Sequence, residues 1–197
     1  MSEASSALPL PPAMPQFRQN AWRRLCGGFL RCCGWRIAGQ FPDEPRIVLI
    51  AAPHSSWWDG VWGLLFKVAL GVDLTFMGKR ELFHGPLGWA LRQLGGIPIE
   101  RSTSHGLVGQ TIERFRGHPK LWFGMAPEGT RKRVGRWKTG FWHIARAVDA
   151  PILPMYFDYP SKTIGIGPLF RPGADMQADL DALHAFYRPF RGKHHNA

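Results

Sequence analysis

The chain has 197 residues, 45% of them apolar, which is enough for one domain with its own core and too many for a disordered chain. Lys and Arg outnumber Asp and Glu by 25 to 14, and the formal charge of +11 points to an anionic partner, either nucleic acid or a membrane surface. Nine Trp lean toward the membrane, where indole rings are favoured, although aromatic rings also stack on bases; three cysteines without a CxxC pair argue against a zinc site or a disulfide framework and fit a reducing compartment.

In chain order, residues 1–15 hold four prolines and no periodicity, and are expected to be a flexible lead-in. They lack the basic start and apolar stretch of a secretory leader, and no uncharged run reaches the roughly 18 residues of a spanning helix. A chain of this kind is expected to lie on a membrane and not to cross it. Residues 16–40 are expected to contain an amphipathic, membrane-associating helix between about Phe17 and Arg36. Trp22, Leu25, Cys26, Phe29 and Cys33 recur at helical spacing, with Arg23, Arg24 and Arg31 on or near the other side. The alternative is an amphipathic helix packed on its own domain, and Gly27 and Gly28 weaken the helix.

Short apolar runs then alternate with helical patterns. Strands are expected at Arg46–Ala51, Asp73–Gly78, Ile97–Glu100, Lys120–Met125, Ile152–Phe157 and Lys162–Ile166. Helices are expected at Trp57–Leu70, Pro86–Leu94, Ser104–Arg116, Thr139–Val148 and Asp175–Arg188. Phe141, Ile144, Ala145 and Val148 form an apolar stripe that reads as core. The alternation gives an α/β fold: a single domain over residues 41–190, with a mostly parallel central sheet flanked by helices, preceded by the interfacial helix and followed by a polar tail at 191–197. His194 and His195, in that tail, are expected to be solvated.

Three clusters carry chemistry. Pro53-His54-Ser55-Ser56-Trp57-Trp58-Asp59 follows an apolar strand and opens a helix. On a continuous helix the five-residue step from His54 to Asp59 would turn about 140° and separate them. With His54 in the turn and Asp59 in the first helical turn they can meet, so that the carboxylate fixes the imidazole tautomer and leaves the second nitrogen as a general base for an alcohol. Pro127-Glu128-Gly129-Thr130-Arg131 follows another strand, at the edge where open α/β sheets bind ligands. Gly129 allows close backbone approach, and Arg131 offers donors suited to phosphate, inside a field deepened by Lys132, Arg133, Arg136 and Lys138. Arg101 and Lys79 each lie beyond a further strand, where they either clamp a phosphate or pair with an acid. His54 and Asp59 would also serve as metal ligands, but no second histidine stands at helical or strand spacing to complete a site.

Together these residues resemble the lysophosphatidic acid and glycerophosphate acyltransferases. His54 to Asp59 is similar to that family's HxSxxD block. Phe76 to Phe83 with Gly95 to Arg101 resembles the second block, Pro127 to Arg131 the EGTR block, and Ala150-Pro151-Ile152-Leu153-Pro154 the final strand. The resemblance covers about residues 46–157. It implies transfer of a fatty acyl group from acyl-CoA or acyl carrier protein to the hydroxyl of a lysophospholipid, with His54 as base and Asp59 orienting it. Arg101, Glu128, Gly129, Thr130, Arg131 and, less centrally, Lys79 would bind the acceptor. It implies no metal or prosthetic group, no nucleic-acid partner, and a peripheral or monotopic place on the cytoplasmic face of the inner membrane, against its anionic surface. The chain departs from the family at Pro53, often Asn, at Ala126, often bulky, and at the bulky Trp57-Trp58, so the resemblance leaves the acceptor's identity open. The competing readings are a basic nucleic-acid binder without enzymatic activity and an inactive lipid-binding relative.

Overall fold

The computed structural model describes residues 10–17, 21–99 and 104–196. In chain order the elements are α1 (Ala21–Cys32), β1 (Arg36–Ala38), β2 (Arg46–Ala52), α2 (Trp57–Leu70), β3 (Leu74–Lys79), a 3-10 turn (Arg80–Phe83), α3 (Gly85–Gln93), β4 (Gly96–Ile99), α4 (Ser104–Gly117), β5 (Leu121–Met125), α5 (Gly140–Ala147), β6 (Ile152–Asp158), β7 (Thr163–Ile166) and α6 (Met176–Tyr187). The strands form one seven-stranded sheet in the order β1-β7-β6-β2-β5-β3-β4. Every neighbouring pair is parallel except β6 with β7. The α/β architecture with a mostly parallel sheet is therefore as expected.

β2 shows why the sheet is parallel and central. Its sequence RIVLIAA is nearly all apolar, as a strand covered on both faces requires. Val48 and Ile50 point into a core shared with Phe123, Phe141, Ile144 and Leu183. Ile47 and Leu49 point the other way, into a core with Leu30, Phe66, Trp122 and Leu153. α5 and α6 thus cover one face of the sheet, α1 and α2 the other. The stripe of Phe141, Ile144, Ala145 and Val148 is buried in the first core, as expected.

That layering positions the site. β2 and β5 are adjacent and parallel. The helix after β2 packs on one face and the helix after β5 on the opposite face. Where successive crossovers diverge like this, a crevice opens at the carboxyl ends of the two strands. His54 follows β2, and Glu128 follows β5.

Local signals fix α2. Ser56 caps its start, and Gly71 ends it in the left-handed conformation with φ 74°. The Arg23 guanidinium also serves the end of α2, donating to Leu70 O at 2.6 Å and Ala69 O at 3.5 Å. A positive charge there suits the negative end of the helix dipole. The Arg23 guanidinium packs closely over Gly71, where a β-carbon would lie 2.5 Å from Arg23 Cζ, and the left-handed conformation is what favours glycine.

The chain ends differ from expectation. Residues 10–17 are anchored to the domain: Met14 is buried, Ala13 N donates to Asp43 Oδ1, and Gln16 bridges to Val72. The apolar Met14 and the backbone bonds to Pro15 and Phe17 tie down what proline content alone marks as a loose lead-in. The helix expected across Phe17–Arg36 is shorter, and Arg36 to Ala38 form β1 beside β7, so the sheet begins before residue 41. Residues 1–9, the greater part of the expected lead-in, and residues 18–20 lie outside the described residues. Arg23, expected with Arg24 and Arg31 on or near the polar side of the interfacial helix, is turned onto α2 instead. Residues 191–196 fold back onto the domain and are not a solvated tail: Arg191 N donates to Asp158 Oδ1, and His194 N to Ser55 Oγ. Among the described residues, no helix is long and apolar enough to cross a membrane.

Candidate active site

The turn after β2 is built around Asp59. Its Oδ2 accepts from the amides of Ser55 and Ser56, each at 2.7 Å. Ser56 Oγ in return accepts from Trp58 N at 3.2 Å, completing a capping box at the start of α2. The same carboxylate oxygen lies 3.4 Å from His54 Nδ1. A carboxylate only accepts, so Nδ1 carries the proton and Nε2 carries the lone pair. The residue that fixes the helix start therefore also fixes the imidazole.

The second oxygen of Asp59 accepts from Tyr159 OH at 2.5 Å. Burial pushes the Asp59 carboxyl up, but hydrogen bonds from His54, Tyr159 and the Ser56 amide outweigh it, and the group is held below the usual carboxylate range. The same contact and burial push the Tyr159 phenol far up, so it stays a donor.

Glu128 reaches across the crevice. Its Oε1 accepts from His54 N at 3.0 Å, joining the loop after β5 to the His54 turn. Its Oε2 is buried and has no hydrogen-bond partner among the described residues. Burial pushes the Glu128 carboxyl up, against the lowering effect of the His54 amide. Gly129 takes φ 63°, a left-handed conformation that strains any residue with a β-carbon, and the Lys138 stem packs on it. Thr130 Oγ1 accepts from Lys132 N at 3.3 Å. The Arg131 guanidinium lies 3.9 Å from the centroid of the Trp57 ring, a cation–π contact.

The structure thus brings together His54, Asp59, Glu128, Gly129, Thr130 and Arg131. Lys79 is exposed at the end of β3, on the same sheet edge but two strands from β2. Arg101 lies outside the described residues. Tyr159, Trp57 and the segment after α6 were not legible as site residues. Tyr159 stands 100 positions from Asp59, and no spacing rule links them. Trp57 was noted only as unusually bulky for its place, yet its ring is the shelf for Arg131.

A strand-end histidine stands against a buried carboxylate, opposite a loop of glutamate, glycine and arginine on an α/β sheet, an arrangement able to take a proton from a hydroxyl and to meet an anion. The sequence model of the family described as Acyltransferase matches residues 37–158, and the chain belongs to that family. It is 33% identical over 101 residues to the 1-acyl-sn-glycerol-3-phosphate acyltransferase of Escherichia coli (strain K12), and 31% identical over 101 residues to that of Salmonella typhimurium. Each alignment covers 47% of this chain and 40% of the relative, so the chain spans less than half the length of these curated relatives. Among solved structures, the 1-acyl-sn-glycerophosphate (LPA) acyltransferase PlsC from Thermotoga maritima has the same fold, with a TM-score of 0.60, 17% identity, and coverage of 85% of this chain and 76% of that one.

Proposed function

We propose that this protein transfers a fatty acyl group from a thioester, acyl-CoA or acyl carrier protein, to the free hydroxyl of a lysophosphatidate-like acceptor. The observation that carries the reading is the buried Asp59 against His54 Nδ1, in a chain of the Acyltransferase family. The named relatives act on 1-acylglycerol phosphates, which supports an acceptor of that class.

In this reading His54 Nε2 removes the proton of the acceptor hydroxyl as its oxygen attacks the thioester carbonyl. The imidazolium that forms is stabilised by Asp59, whose charge is held by Tyr159 and the two serine amides. The tetrahedral intermediate collapses with loss of the thiolate, which takes the proton from Nε2. The base is then neutral again, and no covalent enzyme intermediate is needed. Arg131, with Thr130 and Gly129, holds the acceptor phosphate, and Glu128 keeps the loop and the base turn in one frame. Lys79 and Arg101 remain proposed outer members of the anion site.

We further propose that the chain works on an anionic membrane surface. α1 turns Trp22, Leu25 and Phe29 outward, exposed by 65%, 61% and 52%, where a helix stabilised only by its own domain would bury them. Trp58 and Val61 on α2 extend that exposed face toward the site. Its apolar side suits the acyl chains and the net charge suits the headgroups.

The test is an acceptor and donor panel: thiol release and lipid product are followed with acyl-CoA or acyl carrier protein, against lysophosphatidate and phosphate-free monoacylglycerol. Thiol release dependent on the phosphorylated acceptor is expected. Thiol release that ignores the acceptor, or no lipid product with any lysolipid, refutes the reading.

A further inference from the structure

The base turn and the arginine loop are joined a second time, by the segment that follows α6. Gly192 lies directly on the base turn: a β-carbon there would fall 2.7 Å from Ser55 Oγ and 3.1 Å from Pro53 Cβ. His194 N donates to Ser55 Oγ at 3.2 Å. His195 Nε2 faces the carbonyl oxygen of Arg131 at 2.9 Å, and its Nδ1 faces that of Asn196 at 3.0 Å. The Lys193 ammonium sits 5.3 Å from the Trp58 ring centroid. At its start, Arg191 accepts from Tyr159 N and donates to Asp158 Oδ1, beside the tyrosine that holds Asp59. Six residues therefore touch the His54 turn, the Arg131 backbone and the Tyr159 turn.

We propose that residues 191–196 are a strap belonging to the active site, and that His195 is a positioning residue acting through Arg131 on the phosphate-bearing acceptor. The proposal rests on the acyltransferase reading for the identity of that acceptor. The ring chemistry gives the strap its character. Both imidazole nitrogens face carbonyl oxygens, and only the imidazolium donates to both. The charged groups around it are Glu128, which favours the cation, and Arg133, which opposes it, with Lys193 on its own segment. Burial disfavours the charge, but the two carbonyls and Glu128 outweigh it, so the ring is held above the usual histidine range. A cation tied to the Arg131 carbonyl adds positive charge beside the anion clamp and holds the loop at a fixed distance from His54.

The experiment uses the full chain with three substitutions: His195→Ala, His195→Gln, which keeps a donor without the charge, and Gly192→Ala, whose β-carbon would fall 2.3 Å from the His195 carbonyl oxygen and 2.7 Å from Ser55 Oγ, so that it unseats the strap through its backbone with the imidazole still present. His195→Ala is expected to raise KM for lysophosphatidate about tenfold, with a smaller fall in kcat and in affinity for the thioester. His195→Gln recovers part of that loss. Gly192→Ala reproduces it, and the Gly192→Ala/His195→Ala pair is no worse than either alone, because both act on one contact. A second readout does not depend on activity: the His195 ring proton, followed by NMR, titrates above a free histidine in the wild type and returns to the ordinary range in Gly192→Ala. Additive losses, a loss confined to kcat, or an unshifted titration in the wild type would overturn the strap. Absence of any acyl transfer by the wild type would instead sink the acyltransferase reading, and the titration alone would then decide whether the strap is seated.

Discussion

The two sides of the crevice are built by different means. The base side is local: Ser55, Ser56 and His54 all converge on Asp59 within a few residues, inside a capping box at a helix start. The opposite side, proposed to hold the acceptor, is assembled from distant pieces, with Glu128 bonded 74 positions away at His54, and Arg131 laid on Trp57 and tied through its carbonyl to His195. A site made this way separates its tasks. Under the proposed reading, damage to the local side is expected to strike the chemical step, and damage to the assembled side to strike acceptor binding.

Four substitutions sharpen that contrast. Asp59→Asn has the largest expected effect among them, lowering kcat by about 10³-fold, because the imidazolium loses its counter-charge and the tautomer is no longer dictated. Steady-state kinetics with lysophosphatidate measures it, and a loss seen mainly in KM would break the contrast. Arg131→Ala is expected to raise KM for phosphorylated acceptors by about 10- to 100-fold while leaving phosphate-free acceptors nearly as they were, as loss of a charge-assisted bond predicts. Equal weakening of both acceptors would remove Arg131 from the clamp.

Tyr159→Phe is expected to lower kcat about tenfold. It removes a donor from Asp59, so the depressed carboxyl rises and protonates at a higher pH than in the wild type. The acid limb of the rate profile therefore moves up in pH, and an unmoved limb would make Tyr159 a packing residue only. The smallest effect concerns stability. Glu128 has its folded-state carboxyl raised by burial, so the stability it lends is present at low pH and is lost as pH rises through that raised value. Glu128→Gln keeps the acceptor for His54 N but cannot ionise. Melting temperatures taken from acid to neutral pH should fall less for Glu128→Gln than for the wild type, and parallel curves would contradict the assignment.

The same division explains what the sequence made legible. Trp57–Leu70 was expected within the bounds α2 has, since Ser56 and Gly71 announce both ends locally. The meeting of His54 with Asp59 followed from placing one in a turn and the other in the first helical turn, again a local argument. β1 escaped notice because three residues after a glycine carry no period, and their partner strand lies at Thr163–Ile166. The strap escaped because Gly-Lys-His-His-Asn is polar in composition, while its bonds go to Ser55 and Arg131. Trp22, Leu25 and Phe29 share a helical spacing in the sequence, while their exposure beside the buried Leu30 is visible only in the fold.

In the proposed mechanism His54 Nε2 takes the acceptor's proton while Asp59 holds the ring. Its most direct test is His54→Ala, with acyl transfer to lysophosphatidate measured alongside circular dichroism and melting of the same sample. A folded protein with transfer reduced by about 10³-fold or more is expected. A folded His54→Ala protein that transfers acyl groups at the wild-type rate would contradict it.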